Sequence, residues 1–224
     1  MKNLVALVIL LITNFTIAQN TIQKTIGEFS SLKAYDLITI TMIQSDENKV
    51  VISGKNAESV SVVNKNGKLK IKMNLEEIFD GDDTEVTLYF TSVDLIDVNE
   101  GAKVFIKEPI KQFEIDFKAQ EGGNITATVE TTYLNIRAVT GAVIKVNGTS
   151  KHQDISLYTG GVYKGEDCKT QDTKVAIRAA GEAYVNASGK VDVKIRAGGD
   201  VYIYGNPRLV DESRVFGGRI KRMN

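Results

Sequence analysis

Cysteine, proline, histidine and tryptophan are nearly missing from this sequence. Its 224 residues hold one Cys (Cys168), one His (His152), two Pro (Pro109 and Pro207) and no Trp. A lone cysteine excludes an intrachain disulfide, so stability has to come from core area and hydrogen-bond ladders. As a nucleophile Cys168 would need a base, and His152 is the sole histidine; a partly buried structural thiol is the simpler reading. No pair of histidines or cysteines stands ready to hold zinc. Charge of one sign is missing as well, since 28 basic residues balance 28 acidic ones. That balance removes any global pull toward nucleic acid or an anionic membrane. The acidic runs Glu76-Glu77 and Asp80 to Glu85 read as solvated loops. Asp80-Gly81-Asp82-Asp83-Thr84-Glu85 lacks the spacing of an EF-hand loop, which leaves a loose calcium site as the one metal alternative. No cofactor fingerprint is present, because Gly198-Gly199 opens a strand instead of a helix.

Long hydrophobic runs are confined to the N-terminus. Lys2 supplies a positive charge, Leu4 to Ile12 are apolar, and Thr16-Ile17-Ala18 ends in a small residue. This layout predicts a secretory signal peptide over residues 1–18, cleaved after Ala18 to leave Gln19 at the new terminus; a retained anchor helix is the alternative. The apolar run is too short to span a bilayer. No cysteine lies near the cleavage point, so no lipid anchor is expected. Export would place the chain in the periplasm, at the outer surface or in the medium. The remaining roughly 205 residues allow one large all-β domain or two small ones.

Almost nothing in the mature part has helical periodicity. Leu37 to Met42, Val50-Val51-Ile52, Val60 to Val63, Leu69 to Met73 and Val86 to Phe90 are short β-branched or alternating groups bounded by turn residues. Asn66-Gly67, between two such groups, predicts a hairpin. Leu75 to Phe79 suggests one helical turn.

From about residue 95 the text repeats. Six stretches begin at Ile96, Phe117, Ile136, Leu157, Ile177 and Ile195, spaced by 21, 19, 21, 20 and 18 positions, and a degenerate seventh begins at Arg214. Counting from these residues, even offsets are mostly apolar or small, and a glycine falls at +4, +5 or +6. Side chains alternate across a strand, so one face points inward on both sides of a glycine corner. Two strands and a sharp bend returning about every 20 residues describe a coil of a parallel β-helix. Ile136, Ile144, Ile177, Val185, Ile195 and Ile203 should form its core. At offset +6 this alignment sets the bulky Tyr163 between Ala142 and Ala183, small neighbours that would make room for the ring. The chain therefore divides into residues 19–94, a β-rich N-terminal part, and 95–224, the repetitive β-helix.

Two outward features are candidate contact sites. Offset +1 holds Asp97, Lys118, Arg137, Tyr158, Arg178 and Arg196. In a stack with strands about 4.8 Å apart these would form a ladder. It reads either as a stripe for sulfated or carboxylated glycans, or as a structural column in which Asp97 pairs with Lys118 and Tyr158 lies between Arg137 and Arg178. Offsets +7 and +9 hold Tyr184, Tyr202 and Tyr204, with Asn186 beside them. Tyr184 and Tyr202 should be neighbours in a small aromatic platform suited to a ligand or partner. Outward carboxylates (Asp97, Glu166, Glu182, Asp200) are scattered and catalytic loops are missing, which argues against a polysaccharide lyase or hydrolase.

The order of segments resembles the bacterial family called putative auto-transporter adhesin, head GIN domain. Phe29-Ser30-Ser31-Leu32 leads to the strand Asp36 to Met42, then Gln44-Ser45, Val50 to Gly54 and Asn66 to Ile71. The glycine-punctuated repeats follow, and Gly199 to Pro207 with Gly217 to Lys221 close the chain. Phe216, before the last glycine pair, departs from the small residue expected there. The resemblance implies an all-β, right-handed parallel β-helix, one continuous domain over about residues 28–221, export to the cell envelope and no known chemistry. The expected function is a non-catalytic surface module, an adhesin or glycan binder. A structural envelope scaffold is the alternative, and a polysaccharide-acting enzyme a further one. No cofactor and no nucleic acid are expected as partners; a glycan, another envelope protein or a second copy of the chain stay open.

Overall fold

A computed structural model describes residues 21–74, 76 and 80–223. The expected signal peptide, and all but one residue of the expected helical turn at Leu75–Phe79, lie outside the described residues. The chain runs β1 (Ile22–Thr25), β2 (Ser31–Ala34), β3 (Thr39–Gln44), β4 (Lys49–Gly54), β5 (Val60–Lys65), β6 (Lys68–Met73) and β7 (Thr84–Phe90). It continues with β8 (Leu95–Val98), β9 (Lys103–Ile106), β10 (Ile110–Ala119), β11 (Asn124–Val139), β12 (Val143–Tyr158), β13 (Gly161–Ile177) and β14 (Gly181–Ala197). The last three strands are β15 (Asp200–Tyr204), β16 (Leu209–Phe216) and β17 (Arg219–Arg222). One 17-stranded sheet winds into a β-solenoid of about seven turns, and the N-terminal strands are continuous with it.

Each coil has a leading face, a tight glycine corner and a trailing face. In β11 to β14 one long strand bends from the trailing face of one coil into the leading face of the next. In β11 the buried residues are Ile125, Ala127 and Val129, then Leu134, Ile136 and Ala138. The change from one parity to the next marks the rounded bend, because strand side chains alternate strictly until the backbone turns. At the tight corner two successive residues take left-handed angles, as at Thr140 (φ 50°) and Gly141 (φ 70°). Glycine carries the second position in most coils because a side chain there is strained, although Leu37 (φ 62°) holds it between β2 and β3.

The six residues expected in the core are all buried, and the inward columns run uninterrupted from Val104 to Val201. The alignment slips once. Ile155, not Leu157, stands opposite Ile136, and Leu157 stands opposite Ala138. The Thr140-Gly141 corner is repeated as Thr159-Gly160, so the fourth repeat begins two residues earlier than glycine counting suggested. As a result Tyr163 faces Ile144 rather than Ala142 on one side, and Ala183 on the other. Room for the ring comes from Gly165 of its own strand, where a Cβ would lie 2.4 Å from ring atoms. Gln153, reaching across the core, donates to the Tyr163 hydroxyl at 2.5 Å.

The N-terminal part stacks out of sequence order. Coil β2–β3 pairs with β8–β9 on one side and with β6–β7 on the other, so the chain lays its second coil outside its first. β4 runs antiparallel on β7, β1 on β4 and β5 on β6. The β5–β6 hairpin turns at Asn66 (φ 52°) and Gly67 (φ 73°), the left-handed pair its dipeptide favours.

Candidate functional site

On the leading face each column of outward side chains is built from equivalent positions in successive coils. One column is Asp116, Asn135, Asp154 and Lys174, and the next, two residues along, is Lys118, Arg137, Ser156 and Ala176. At the rounded bend a third column runs Tyr133, His152 and Asp172. The small side chains of Ser156 and Ala176 leave a trough across this face. A cavity of about 250 Å³ is lined by Tyr133, Asn135, His152, Gln153, Asp154, Asp172 and Lys174. A second of about 170 Å³ shares Asn135 and Asp154 with it and reaches Asp116, Lys118, Arg137 and Ser156.

Aromatic groups stand at both ends of the trough. At the bend Tyr133 stacks on His152, centroids 5.1 Å apart, and Phe113 meets Tyr133 edge-on at 5.3 Å. Phe113 is two-thirds exposed, because an edge-on neighbour leaves its ring face uncovered. His152 Nδ1 lies 3.5 Å from Asp172 Oδ2. At the other end the Tyr158 ring sits between two guanidinium groups, Arg137 at 4.4 Å and Arg178 at 5.0 Å. On the floor the Asn135 amide donates to Glu114 Oε1 at 2.8 Å and Asp116 Oδ1 at 2.7 Å, which fixes its orientation. The trough thus offers carboxylate, amide, ammonium and ring surfaces within a few coils, the mixture that recognises a polar ligand with apolar C–H faces.

The predicted basic ladder is not one column. Lys118 and Arg137 are neighbours, but Arg137 stands opposite Ser156, and Tyr158 opposite Val139. The two-residue slip moves Tyr158 off the Arg137 position, and the long arginine reaches it diagonally. Arg178 and Arg196 follow, both exposed, beside the paired Ile177 and Ile195. Asp97 differs from expectation too: its carboxylate accepts from Lys33 Nζ at 2.6 Å, on the neighbouring strand β2, in place of Lys118.

The tyrosines lie on the trailing face. Tyr184 and Tyr202 stack with centroids 4.6 Å apart at 11°, and Lys221 Nζ lies 5.5 Å from the Tyr202 ring centre. Tyr204 stands opposite Asn186, whose amide donates to Glu166 O at 2.8 Å. The Tyr184 hydroxyl donates to Glu182 at 3.0 Å, and desolvation, with Glu182 beside it, pushes the phenol up to about 12. Each ring covers a face of the other, so the column presents ring edges more than faces.

Cys168 is buried and its thiol is pushed up to about 11 by desolvation, which keeps it protonated. His152 is outside, at the rounded bend, so the two form no catalytic pair. Asp80 is held by the Asn56 amide at 2.9 Å. Among the described residues no three His, Cys, Asp or Glu side chains gather as metal ligands, and no helix is long and apolar enough to cross a membrane.

The Phe113–Tyr133–His152 ladder escaped the sequence reading. With the fourth and fifth repeats begun at Ile155 and Val175, Tyr133, His152 and Asp172 each stand three residues before a repeat start; with Leu157 and Ile177 the separations are three, five and five.

A family model described as putative auto-transporter adhesin, head GIN domain matches residues 28–207. A crystal structure of a putative adhesin from Bacteroides fragilis NCTC 9343 superposes with a TM-score of 0.83 at 18% identity, covering 91% of this chain and 96% of that one. A putative adhesin from Parabacteroides merdae gives 0.72 at 15%, covering 92% and 96%. A putative lipid binding protein from Parabacteroides distasonis gives 0.72 at 16%, also covering 92% and 96%. At such identities the likeness shows the fold. No curated protein matches the chain.

Proposed function

The chain belongs to the putative auto-transporter adhesin, head GIN domain family, and we propose that it is an exported, non-catalytic surface module that binds glycans across the trough of its leading face. The observation that carries this reading is the placement of the Phe113–Tyr133–His152 ladder beside Asn135, Asp154, Asp172 and Lys174. A sugar ring has an apolar C–H face and a rim of hydroxyls; an exposed ring matches the first, and carboxylate, amide and ammonium groups match the second. Successive rungs about 4.8 Å apart repeat at close to the size of one sugar unit, so a chain could lie over several coils. Residues 1–18, read as a signal peptide, support export.

The enzymatic alternative has one observation in its favour. Asp116 and Asp154 flank Asn135 in one column, two rungs or about 9–10 Å apart between strands, at the upper end of inverting carboxylate pairs. Asn135 donates to Asp116, which ties that carboxylate to a structural bond.

A glycan array probed with the mature chain tests the proposal. Binding should fall at least tenfold in Phe113→Ala/Tyr133→Ala with an unchanged melting temperature. Retained binding in that variant, or no glycan bound at all, overturns the trough reading. Cell fractionation should find the chain outside the cytoplasm, and mass spectrometry should find envelope polysaccharides uncleaved after incubation.

A further inference from the structure

The last coil leaves an edge open. β16 pairs with β14 and β17 with β15, and among the described residues no strand lies on their outer sides. At the other end of the solenoid β1, β4 and β5 run antiparallel along the outermost coil. β16 also breaks the inward pattern of the coils before it. Val210 stands over Val191, Glu212 over Val193, Arg214 over Ile195 and Phe216 over Ala197, so two apolar residues bracket an acid and a base. Phe216 is 77% exposed, and Leu209 and Val215 are more than half exposed, on a strand of eight residues. An unpaired edge with this much apolar surface is a template for another strand.

Backbone direction follows from one hydrogen bond. Gly198 N–H donates to Phe216 O at 2.8 Å, back toward the preceding coil. In a strand the N–H and C=O of one residue point to the same side and those of the next to the other. Residues 210, 212, 214 and 216 therefore bond inward, and Asp211, Ser213 and Val215 present theirs to the open edge.

We propose that this edge pairs antiparallel with β16 of a second copy of the chain, about a two-fold axis through Ser213. That register makes Ser213 opposite Ser213 a hydrogen-bonded pair. On the core side it sets Glu212 opposite Arg214 and Val210 opposite Phe216, each twice by symmetry. Moving the axis to Glu212 or to Arg214 sets two like charges face to face, so the side chains select one register. Within a single chain Glu212 and Arg214 are only loosely paired, at 4.0 Å, and lose little by exchanging partners. The same axis brings together the β17 edges with Lys221 and Arg222, Arg219 being held by Asp200 at 2.8 Å. Like charge holds that side apart, and the two copies zip along the leading face alone. The dimer is accordingly weak and concentration-dependent. The whole of β16 lies beyond the matched residues 28–207, so the contact belongs to this chain's own last coil. It is independent of any glycan in the trough.

Sedimentation of the full secreted chain tests this by charge exchange. The wild-type protein should shift from monomer to dimer as concentration rises. Glu212→Arg alone sets arginine against arginine, and Arg214→Glu alone sets acid against acid; each should weaken dimerisation at least tenfold. An equimolar mixture of the two single variants should restore a one-to-one heterodimer, and the double variant Glu212→Arg/Arg214→Glu should dimerise with itself. A monomer at every concentration overturns the proposal. So do single variants that still dimerise, or a mixture that does not.

Discussion

Glu100 shows how a single position on the coil corner acquires a pH dependence. It holds a left-handed angle (φ 51°), and the buried Asp36 (4% exposed) faces it from the next coil, where Asp36 also accepts a bond from Met73 N at 3.0 Å. Burial first, and then Asp36, hold the Glu100 carboxyl above its ordinary range, with Lys70 opposing. A raised folded-state value means that the native protein binds this proton more tightly than the unfolded chain does. The stabilisation is complete below the unfolded carboxylate range, near 4, and is lost as pH rises through the folded value. At pH 7 the ionised side chain is a cost. Glu100→Gln should therefore raise Tm at pH 7 on the order of 1 °C and leave it unchanged near pH 3, as calorimetry at the two pH values would show. A gain of equal size at both would mean that charge is not the cause. The Tyr163–Gln153 bond is the other instructive residue-scale feature. It fills a polar position in an apolar column with a partner from the facing sheet, which no pattern along one strand announces.

At the scale of the element, the corner decides how coils stack. Six corners put a non-glycine residue at the first left-handed position: Asp36, Glu100, Glu121, Thr140, Thr159 and Ala180. A β-branched residue is the most strained of these, because its second γ atom crowds the backbone at positive φ. Asparagine tolerates the left-handed region and bonds its own backbone locally. Thr140→Asn should stabilise the protein by about 0.5–1 kcal/mol in urea unfolding, while Gly141→Ala at φ 70° should destabilise it by at least as much. The opposite sign for Thr140→Asn would mean that the threonine makes a contact outweighing its backbone strain. The same corners explain where the alignment of repeats went wrong. Thr140-Gly141 and Thr159-Gly160 are the equivalent dipeptides, 19 residues apart, whereas the repeat starts Ile136 and Leu157 are 21 apart, a displacement of two.

For the whole molecule, a solenoid is nearly one-dimensional, each coil contacting its two neighbours. Its two ends are unequal: antiparallel strands line the N-terminal coil, whereas β16 and β17 present charged, exposed residues on a single neighbour. Local opening follows contact density. Amide hydrogens of β16 and β17 should exchange orders of magnitude faster than those of β11 to β13, as mass-resolved exchange would measure. Raising protein concentration should slow exchange in β16 selectively, because pairing with a second copy protects that edge. Uniform exchange along the axis would contradict the one-dimensional picture.

The strands, the inward face, the glycine corners, the Asn66-Gly67 hairpin and the neighbouring Tyr184 and Tyr202 were all legible from the residues. Each follows from covalent alternation and turn chemistry, which act over a few positions and leave a period in the text. Contacts between coils were less accessible. That β6–β7 stacks outside β2–β3, that Asp97 bonds Lys33, and that Tyr133, His152 and Asp172 line one trough all depend on which residues of distant coils share a rung. Rung partners are set by bend and corner lengths summed along the chain, and a slip of two keeps every side chain on its proper face. The alternating pattern is blind to it, so the same residues stay inside while the outward columns that cross the slip, and with them the trough, are drawn in the wrong place; Tyr184 and Tyr202, both beyond it, keep their pairing. Only the folded structure resolves that degeneracy, because packing of one coil on the next penalises all registers but one.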